Sequence, residues 1–157
     1  MKAALPASGG SYSVALWFYN GLPSDARATT GVLYSWGDDE LRIGGRSRAA
    51  GKLVFESDGL ILEGSTALVE KTWYFAVLTR DRTGVRLYLN GGVTPELSGK
   101  VPGGVTAGEF RVAAGRSEDA SFEGRIDEVA VFDRVLRPSE IARLHQRAGM
   151  RTYASGI

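Results

Sequence analysis

Glycine residues divide this chain into short apolar runs, and this spacing constrains the fold more than any other feature of the sequence. Glycine accounts for 21 of 157 residues, about twice its usual share of roughly 7%. Many glycines stand singly or in pairs between apolar runs, as at Gly44-Gly45 and Gly91-Gly92. Because glycine readily adopts the backbone angles of tight turns, this pattern is typical of many short strands joined by turns.

Nine apolar segments have the length and composition of β-strands. The predicted strands are Ser13–Tyr19, Gly31–Trp36, Glu40–Ile43, Lys52–Glu56, Leu60–Leu62, Trp73–Arg80, Val85–Asn90, Phe110–Ala114 and Gly124–Phe132. Since no helices alternate with these strands, the order favours an all-β antiparallel sandwich over a parallel α/β sheet. Alternation along the seventh and ninth segments predicts that Leu87, Leu89, Val129 and Val131 are largely buried.

One short helix is predicted near the end of the chain. Pro138 suits the first helical position, and Glu140 at the third position interacts favourably with the N-terminal dipole. Ile141 and Leu144 share a face that should pack on the sandwich, and Gly149 stands where a left-handed C-cap is needed. We expect a helix that covers part of one sheet.

Composition excludes several classes of protein. The chain has no Cys, so it has neither disulfides nor thiolate metal sites. Lys+Arg 19 against Asp+Glu 18 gives a net charge of +1, which creates no overall field for nucleic acid or an anionic membrane. The longest apolar runs have six residues, whereas about 20 are needed to cross a bilayer. No signal peptide is recognisable at the start, and a soluble single domain is expected.

Several segments resemble one family. Thr72–Val77 followed by Val85–Gly91 resembles the central hairpin of laminin G-like, concanavalin A-like jelly-roll domains. Phe122–Phe132 with Pro138–Ile141 resembles the closing strand and helix of that family, a part that pentraxins share. Ser13–Trp17 is similar to its early strand. The resemblance implies a jelly-roll β-sandwich with one short C-terminal helix.

The resemblance also implies an organisation and a location. Residues 11–149 are expected to form the laminin G-like domain, residues 1–10 a flexible lead-in or truncated first strand, and residues 150–157 a tail. The opening strand of the family is hardly visible in Ala3–Gly10, and Phe75 stands where family members often have His. Similar bacterial domains are usually modules of larger envelope or secreted proteins, so an extracellular or cell-envelope location is implied.

An enzymatic role is the weaker interpretation. Glycoside hydrolases of the jelly-roll type need two carboxylates on one strand face. Glu56 and Asp58 begin such a pattern, but Leu60 and Ile61 stand where a second Glu is required. Asp127 and Glu128 are adjacent and point to opposite faces. The only histidine, His145, is interpreted as a solvated residue of the terminal helix, so we expect no catalysis.

Calcium remains open at this point, and no other cofactor is indicated. Ca²⁺ takes six to eight oxygen ligands, commonly from loop carboxylates and carbonyls. Asp38-Asp39-Glu40 and Asp127 could supply some of them. Alternatively, Asp38 and Asp39 solvate a hairpin tip, while Asp127 accepts backbone hydrogen bonds.

The sequence therefore predicts a non-catalytic module that binds carbohydrate or protein, within a larger chain, with neither nucleic-acid binding nor membrane insertion. The ligand site is predicted at the loop ends around Trp36, Asp38, Asp39 and Arg116, because loops of a sandwich gather at its two ends. Trp36 would supply a stacking face, although it could instead cap the core, whereas Trp17 and Trp73 lie inside apolar runs and are expected in the core. A structural spacer without a ligand is the alternative function, and a glucanase-type hydrolase is the third.

Overall fold

Eleven strands form two antiparallel sheets in the computed structural model, which describes residues 1–5, 10–105, 108–115 and 121–148. The strands are β1 (Lys2–Leu5), β2 (Tyr12–Asn20), β3 (Thr29–Trp36), β4 (Asp39–Gly45), β5 (Arg48–Ser57), β6 (Leu60–Glu63), β7 (Trp73–Arg80), β8 (Gly84–Leu89), β9 (Leu97–Lys100), β10 (Gly108–Val112) and β11 (Gly124–Phe132), followed by helix α1 (Pro138–Arg147). Sheet A has the order β1-β10-β3-β4-β5-β6, and sheet B has the order β11-β2-β7-β8-β9. The predicted antiparallel jelly roll with one helix is confirmed.

All nine predicted strands are present, and the structure adds β1 and β9. Lys2–Leu5 pairs along its whole length with β10, so these four residues form an edge strand of sheet A. Leu97–Lys100 pairs with β8 and forms an edge strand of sheet B. The predicted tail at residues 150–157, like residues 6–9, lies outside the described part of the chain.

The main core lies between the two sheets, and a second apolar layer lies under the helix. Strand β2 contributes to both, because alternate residues of a strand point to opposite faces. Leu16 and Phe18 point into the core between the sheets. Ala15 and Trp17 point to the outer face of sheet B, where they pack with Ile141 of α1. A strand buried on both faces explains the nearly continuous apolar run in this segment.

The four residues expected in the core have different environments. Leu87 is fully buried, while Leu89 and Val129 are half-buried and pack against the core. Val131 is 37% exposed, so its predicted burial is wrong. It lies on β11, one of the two edge strands of sheet B, beyond a β-bulge between Asp127 and Ala130. An edge strand has a neighbour on one side only, which leaves its side chains less covered.

The helix begins as the sequence predicts. Pro138 is its first residue, and Glu140 accepts a hydrogen bond from the backbone N–H of Arg137 at 2.8 Å. The guanidinium of Arg134 donates two hydrogen bonds to the same carboxylate, at 2.9 and 2.8 Å. Hydrogen bonds from Arg134 and then from the Arg137 backbone lower the pKa of Glu140 to about 2. Ile141 is fully buried, and Gly149 lies outside the described residues.

Leu87→Ala is expected to lower the free energy of unfolding by about 2–5 kcal/mol, because it leaves a cavity between the sheets. Val131→Ala removes a similar apolar side chain from the exposed edge strand, so its effect should stay below about 1 kcal/mol. Urea unfolding followed by tryptophan fluorescence measures both values. Equal effects of the two substitutions would contradict the placement of these strands.

Candidate functional site

Trp36, the predicted stacking residue, lies inside the protein. It ends β3, and its side chain is only 3% exposed. The indole packs against Tyr12 with ring centroids 4.8 Å apart and meets Phe110 edge-on at 5.9 Å. The ring therefore offers no face to a ligand in this structure, and of the two interpretations of Trp36 the core one fits its burial.

Asp39, the second predicted ligand residue, is the centre of a buried polar network. It is 1% exposed, and Nε of Arg80 donates to its Oδ2 at 3.1 Å. The hydroxyl of Tyr12 donates to the same oxygen at 2.8 Å, and the hydroxyl of Ser57 donates to Oδ1 at 2.6 Å. The hydroxyl of Tyr34 lies 2.9 Å from that of Tyr12. We call these five residues the Asp39–Arg80 network.

Both charged groups of the network, the carboxylate of Asp39 and the guanidinium of Arg80, have further hydrogen-bond partners. Nη1 of Arg80 also donates to the carbonyls of Asp81 at 2.6 Å and Val101 at 2.7 Å. Burial, and then the charges of neighbouring groups, raise the pKa of Tyr12 and of Tyr34 well above the usual value for tyrosine. Both hydroxyls thus keep their protons and stay available as donors. A buried charged pair needs such additional hydrogen bonds to offset its desolvation.

The other two predicted site residues are Asp38 and Arg116. Asp38 is exposed in the turn between β3 and β4. It is adjacent to Asp39, and the carboxylate of Asp39 is turned inwards. Arg116 lies outside the described residues. Ligand binding at this end of the sandwich stays a prediction, and Asp38 is the exposed acid there.

The acids considered for calcium do not converge on one point. Both oxygens of Asp39 are taken by the network, and Glu40 binds Arg42 on the outer face of sheet A. Asp127 accepts a hydrogen bond from the backbone N–H of Glu128 at 2.8 Å, as expected for a turn residue. Within the described ranges, no three acidic or histidine side chains are grouped as a metal site requires. Asp39, Glu40 and Asp127 are therefore engaged separately and are not brought together around one calcium ion.

Glu56 has a carboxylate neighbour, although not the one expected along its own strand. Glu40 and Glu56 are cross-strand partners on β4 and β5. Nη1 of Arg42 lies 3.2 Å from Oε1 of Glu40 and 2.6 Å from Oε2 of Glu56. All three side chains are less than a quarter exposed. The two acids are therefore joined through one guanidinium, which neutralises part of their charge.

Accessible aromatic side chains lie on the outer face of sheet B. Tyr19 of β2 and Trp73 of β7 are cross-strand partners, both half-buried, with ring centroids 5.5 Å apart. Arg125 of β11 is paired with Tyr19, and its guanidinium carbon lies 5.6 Å from the tyrosine ring centre. We call Tyr19, Trp73 and Arg125 the aromatic patch. It combines aromatic rings with a guanidinium that lies over the ring of Tyr19 and carries hydrogen-bond donors.

His145 is not the solvated residue expected from the sequence. Its ring stacks on Trp17 and on Phe75, with centroids 5.6 Å away in both cases. Nε2 is buried without a hydrogen-bond partner among the described residues. The backbone at Gly91, with a φ of +72°, passes so close that a Cβ there would lie within 2.9 Å of the imidazole. Burial lowers the pKa of His145.

A model of laminin G-like domains, described as the concanavalin A-like lectin/glucanases superfamily, matches residues 2–142. The chain belongs to this superfamily. A search of curated proteins finds no match to the sequence. Membership explains the two-sheet architecture, and the match begins at β1, the strand that was hard to recognise in the sequence.

Solved structures share the architecture of this superfamily member. Domain 4 of an extracellular arabinanase from Geobacillus stearothermophilus, in complex with arabinotriose, matches with a TM-score of 0.65 and 21% identity, over 88% of this chain and 68% of that one. A protein from Bacteroides ovatus proposed to bind carbohydrate gives 0.74 and 15%, over 90% and 43%. The heptameric SAP-like pentraxin from Limulus polyphemus gives 0.61 and 16%, over 86% and 69%. At these identities the likeness establishes the fold.

Superfamily membership alone does not choose between binding and hydrolysis, since its description names both lectins and glucanases. Among the structural neighbours, the arabinanase domain is in complex with arabinotriose, and the Bacteroides ovatus protein is described as proposed to bind carbohydrate. In the part of the chain that the structure describes, no helix is long and apolar enough to span a membrane.

Two features of this superfamily member were not foreseen from the sequence. Arg80 ends an apolar strand, and its partner Asp39 is 41 residues earlier. The pairing of Glu40 with Glu56 depends on the β4–β5 register, which the alternation of single strands does not supply. A signal for Arg80 existed, because a charged residue at the end of a largely apolar strand is rarely buried without a partner.

Asp39→Ala is expected to lower the free energy of unfolding by about 3–5 kcal/mol, because it leaves the guanidinium of Arg80 buried without its counter-charge. Asp38→Ala, one residue earlier and exposed, should change it by about 1 kcal/mol or less. Both variants are compared by denaturant unfolding at pH 7. Similar losses for the two would show that the Asp39–Arg80 network does not stabilise the fold.

Stability is expected to fall as the pH drops below about 6.5, the ordinary histidine value. Because burial lowers the pKa of His145 in the fold, the unfolded chain takes up this proton more readily. The melting temperature should therefore decrease between pH 7.5 and 5.5 in the wild type and decrease less in His145→Phe, which keeps a ring against Trp17. The sequence contains no other histidine. Identical pH dependence in both proteins would refute the stacked arrangement.

Proposed function

We propose that this chain is a non-catalytic carbohydrate-binding module, and that it binds neutral sugars at the aromatic patch. The carrying observation is the pair of partly exposed rings, Tyr19 and Trp73, with the guanidinium of Arg125 over Tyr19. Aromatic faces cover the apolar side of a sugar ring, and a guanidinium supplies donors for its hydroxyl oxygens. Family membership supports the proposal, as does the arabinotriose complex of the arabinanase domain.

The position of the patch on strands favours a binding function. Tyr19 and Trp73 are held by paired residues of β2 and β7, so their rings keep a fixed separation. A preformed site of this kind binds without the entropic cost of ordering loops. We also propose, from the family, that the module serves an extracellular or cell-envelope protein and lies beside other domains.

The hydrolase alternative is weaker because of Arg42. A glycosidase needs one carboxyl group as proton donor and a second as nucleophile or base. Glu40 and Glu56 both bind the guanidinium of Arg42, which leaves neither free to approach a glycosidic oxygen. The spacer alternative makes no use of the accessible rings.

Trp73→Ala is expected to weaken the binding of a neutral oligosaccharide. Arabinotriose is the first probe, and a glycan array identifies other neutral sugars that the wild type binds. Loss of one stacking contact of about 1–2 kcal/mol corresponds to a five- to thirtyfold lower affinity. Trp73→Phe keeps a smaller ring and should lose less. Isothermal titration calorimetry measures the affinities, and thermal melting confirms that each variant folds.

Arg46→Gln is the matched control for Arg125→Gln, since Arg46 is an exposed cation in the β4–β5 turn. Only the Arg125 variant should weaken binding. Wild-type protein that binds no neutral glycan would refute the proposed function and favour the spacer. Release of reducing sugars from a polysaccharide, abolished in Glu56→Gln, would establish the hydrolase alternative.

A further inference from the structure

A groove of about 390 Å³ lies on the outer face of sheet B, apart from the aromatic patch. Its walls come from β7, β8 and β9 and from Val135 in the segment that leads into α1. The volume falls in the range of about 300–1,000 Å³ in which proteins hold small ligands. Thr79 and Trp73 are six residues apart on β7, so the groove and the patch lie about 20 Å apart.

Four polar side chains are placed on the groove by strand register. Thr79 pairs with Arg86, and Arg86 pairs with Ser98, so the three lie in one row across β7, β8 and β9. Lys100 follows Ser98 by two residues and therefore points to the same face. Arg86 and Lys100 are diagonal neighbours, which places their strand positions about 7–8 Å apart.

The two cations have no counter-charge of their own. In the described ranges, neither Arg86 nor Lys100 makes a side-chain hydrogen bond or ion pair. Thr79, at 5% exposure, also lines the groove, and its hydroxyl makes only a long bond of 3.4 Å to the carbonyl of Arg86. The groove thus offers free donors and a weakly engaged hydroxyl around two neighbouring positive charges.

Asp81, the acidic residue that lines the groove, accepts hydrogen bonds from its own turn. Oδ1 of Asp81 accepts hydrogen bonds from the N–H of Thr83 at 2.8 Å, from its hydroxyl at 2.6 Å and from the N–H of Gly84 at 2.9 Å. The Thr83 hydroxyl, first among these donors, lowers the pKa of Asp81, so this acid stays ionised. Two cations and one carboxylate leave the groove with one uncompensated positive charge.

We propose that this groove binds the anionic group of an acidic sugar residue, the carboxylate of a uronic acid. The fork of Arg86 matches a carboxylate with two parallel hydrogen bonds, and Lys100 adds a second positive charge beside it. The hydroxyls of Thr79 and Ser98 contact the ring hydroxyls of the same sugar. One bound carboxylate neutralises the excess charge of the groove.

Nucleic acid and membrane surfaces fit the groove less well. Binding to a phosphate backbone gains its strength from many cationic contacts, whereas this groove has two cations and an acid, on a chain of net charge +1. A lipid surface requires an apolar area to insert, and Val135 is the exposed apolar residue at the rim.

The choice of a saccharide rests on the proposed function, whereas the preference for an anion rests on Arg86 and Lys100. The two sites can therefore fail independently. Loss of neutral-sugar binding in Trp73→Ala concerns the aromatic patch only. Loss of acidic-sugar binding in Arg86→Gln concerns the groove only.

The test is calorimetric titration with trigalacturonate and with its carboxyl-reduced, neutral counterpart. The wild type should bind the acidic form at least tenfold more tightly, and Arg86→Gln and Lys100→Gln should each weaken it about tenfold, as expected for one charge-assisted hydrogen bond. Arg46→Gln removes an exposed cation elsewhere and should leave the affinity unchanged. Both groove cations are exposed, so melting temperatures should stay near that of the wild type.

Four outcomes would overturn the inference. The first is equal affinity for the acidic and neutral trisaccharides, and the second is acidic-sugar binding that Trp73→Ala abolishes while Arg86→Gln does not. The third is tighter binding of single-stranded DNA or of anionic vesicles than of trigalacturonate. A sulfated trisaccharide distinguishes the two sources of negative charge: preference for sulfate over carboxylate would reject the uronic acid.

Discussion

The salt bridge between Asp39 and Arg80 joins the two sheets at one end of the sandwich, and the surrounding structure depends on it. Asp39 belongs to β4 of sheet A and Arg80 to β7 of sheet B, and both are almost fully buried. Tyr12, Ser57 and the carbonyl of Val101 supply the hydrogen bonds that a buried pair requires. The hydroxyls and the two charges satisfy one another, so these side chains are engaged in holding the sheets together. The binding surfaces proposed above lie instead on the outer face of sheet B.

The position of helix α1 determines which parts of the outer face of sheet B remain uncovered. Ile141 and His145 pack over the middle of the sheet, on Trp17, Phe75 and their neighbours. The aromatic patch lies at one end of the same face, and the groove lined by Arg86 lies at the other. Both are built on paired strands, so their side chains are held at fixed separations whether or not a ligand is present. This arrangement gives one rigid face two chemically different surfaces, one aromatic and one cationic.

The sequence predicts the strands well where alternation or continuous burial leaves a strong pattern, as in β2 and β7. It misses β1 and β9 because Lys2–Leu5 and Leu97–Lys100 are four-residue edge strands whose existence depends on the partner strand. The site is predicted less well, for the same physical reason. An acid beside a turn is usually solvated, and only the three-dimensional approach of Arg80 makes burial of Asp39 favourable. His145 shows the opposite case, since its helical spacing does not reveal that the backbone at Gly91 closes over its ring.

The pair Glu40 and Glu56 shows why geometry alone does not make a glycosidase. Their oxygens bind the same nitrogen of Arg42 at 3.2 and 2.6 Å, so their separation cannot exceed the sum of those distances. Such a separation is compatible with the spacing of about 5–5.5 Å in retaining enzymes. In those enzymes, however, the space between the carboxyl groups receives the sugar, whereas here it holds a guanidinium fixed by two ion pairs. Hydrolysis would require Arg42 to leave both partners, exposing two neighbouring negative charges that repel each other. On this outer face, Arg42 acts as the counter-charge that allows two acids to lie side by side in sheet A.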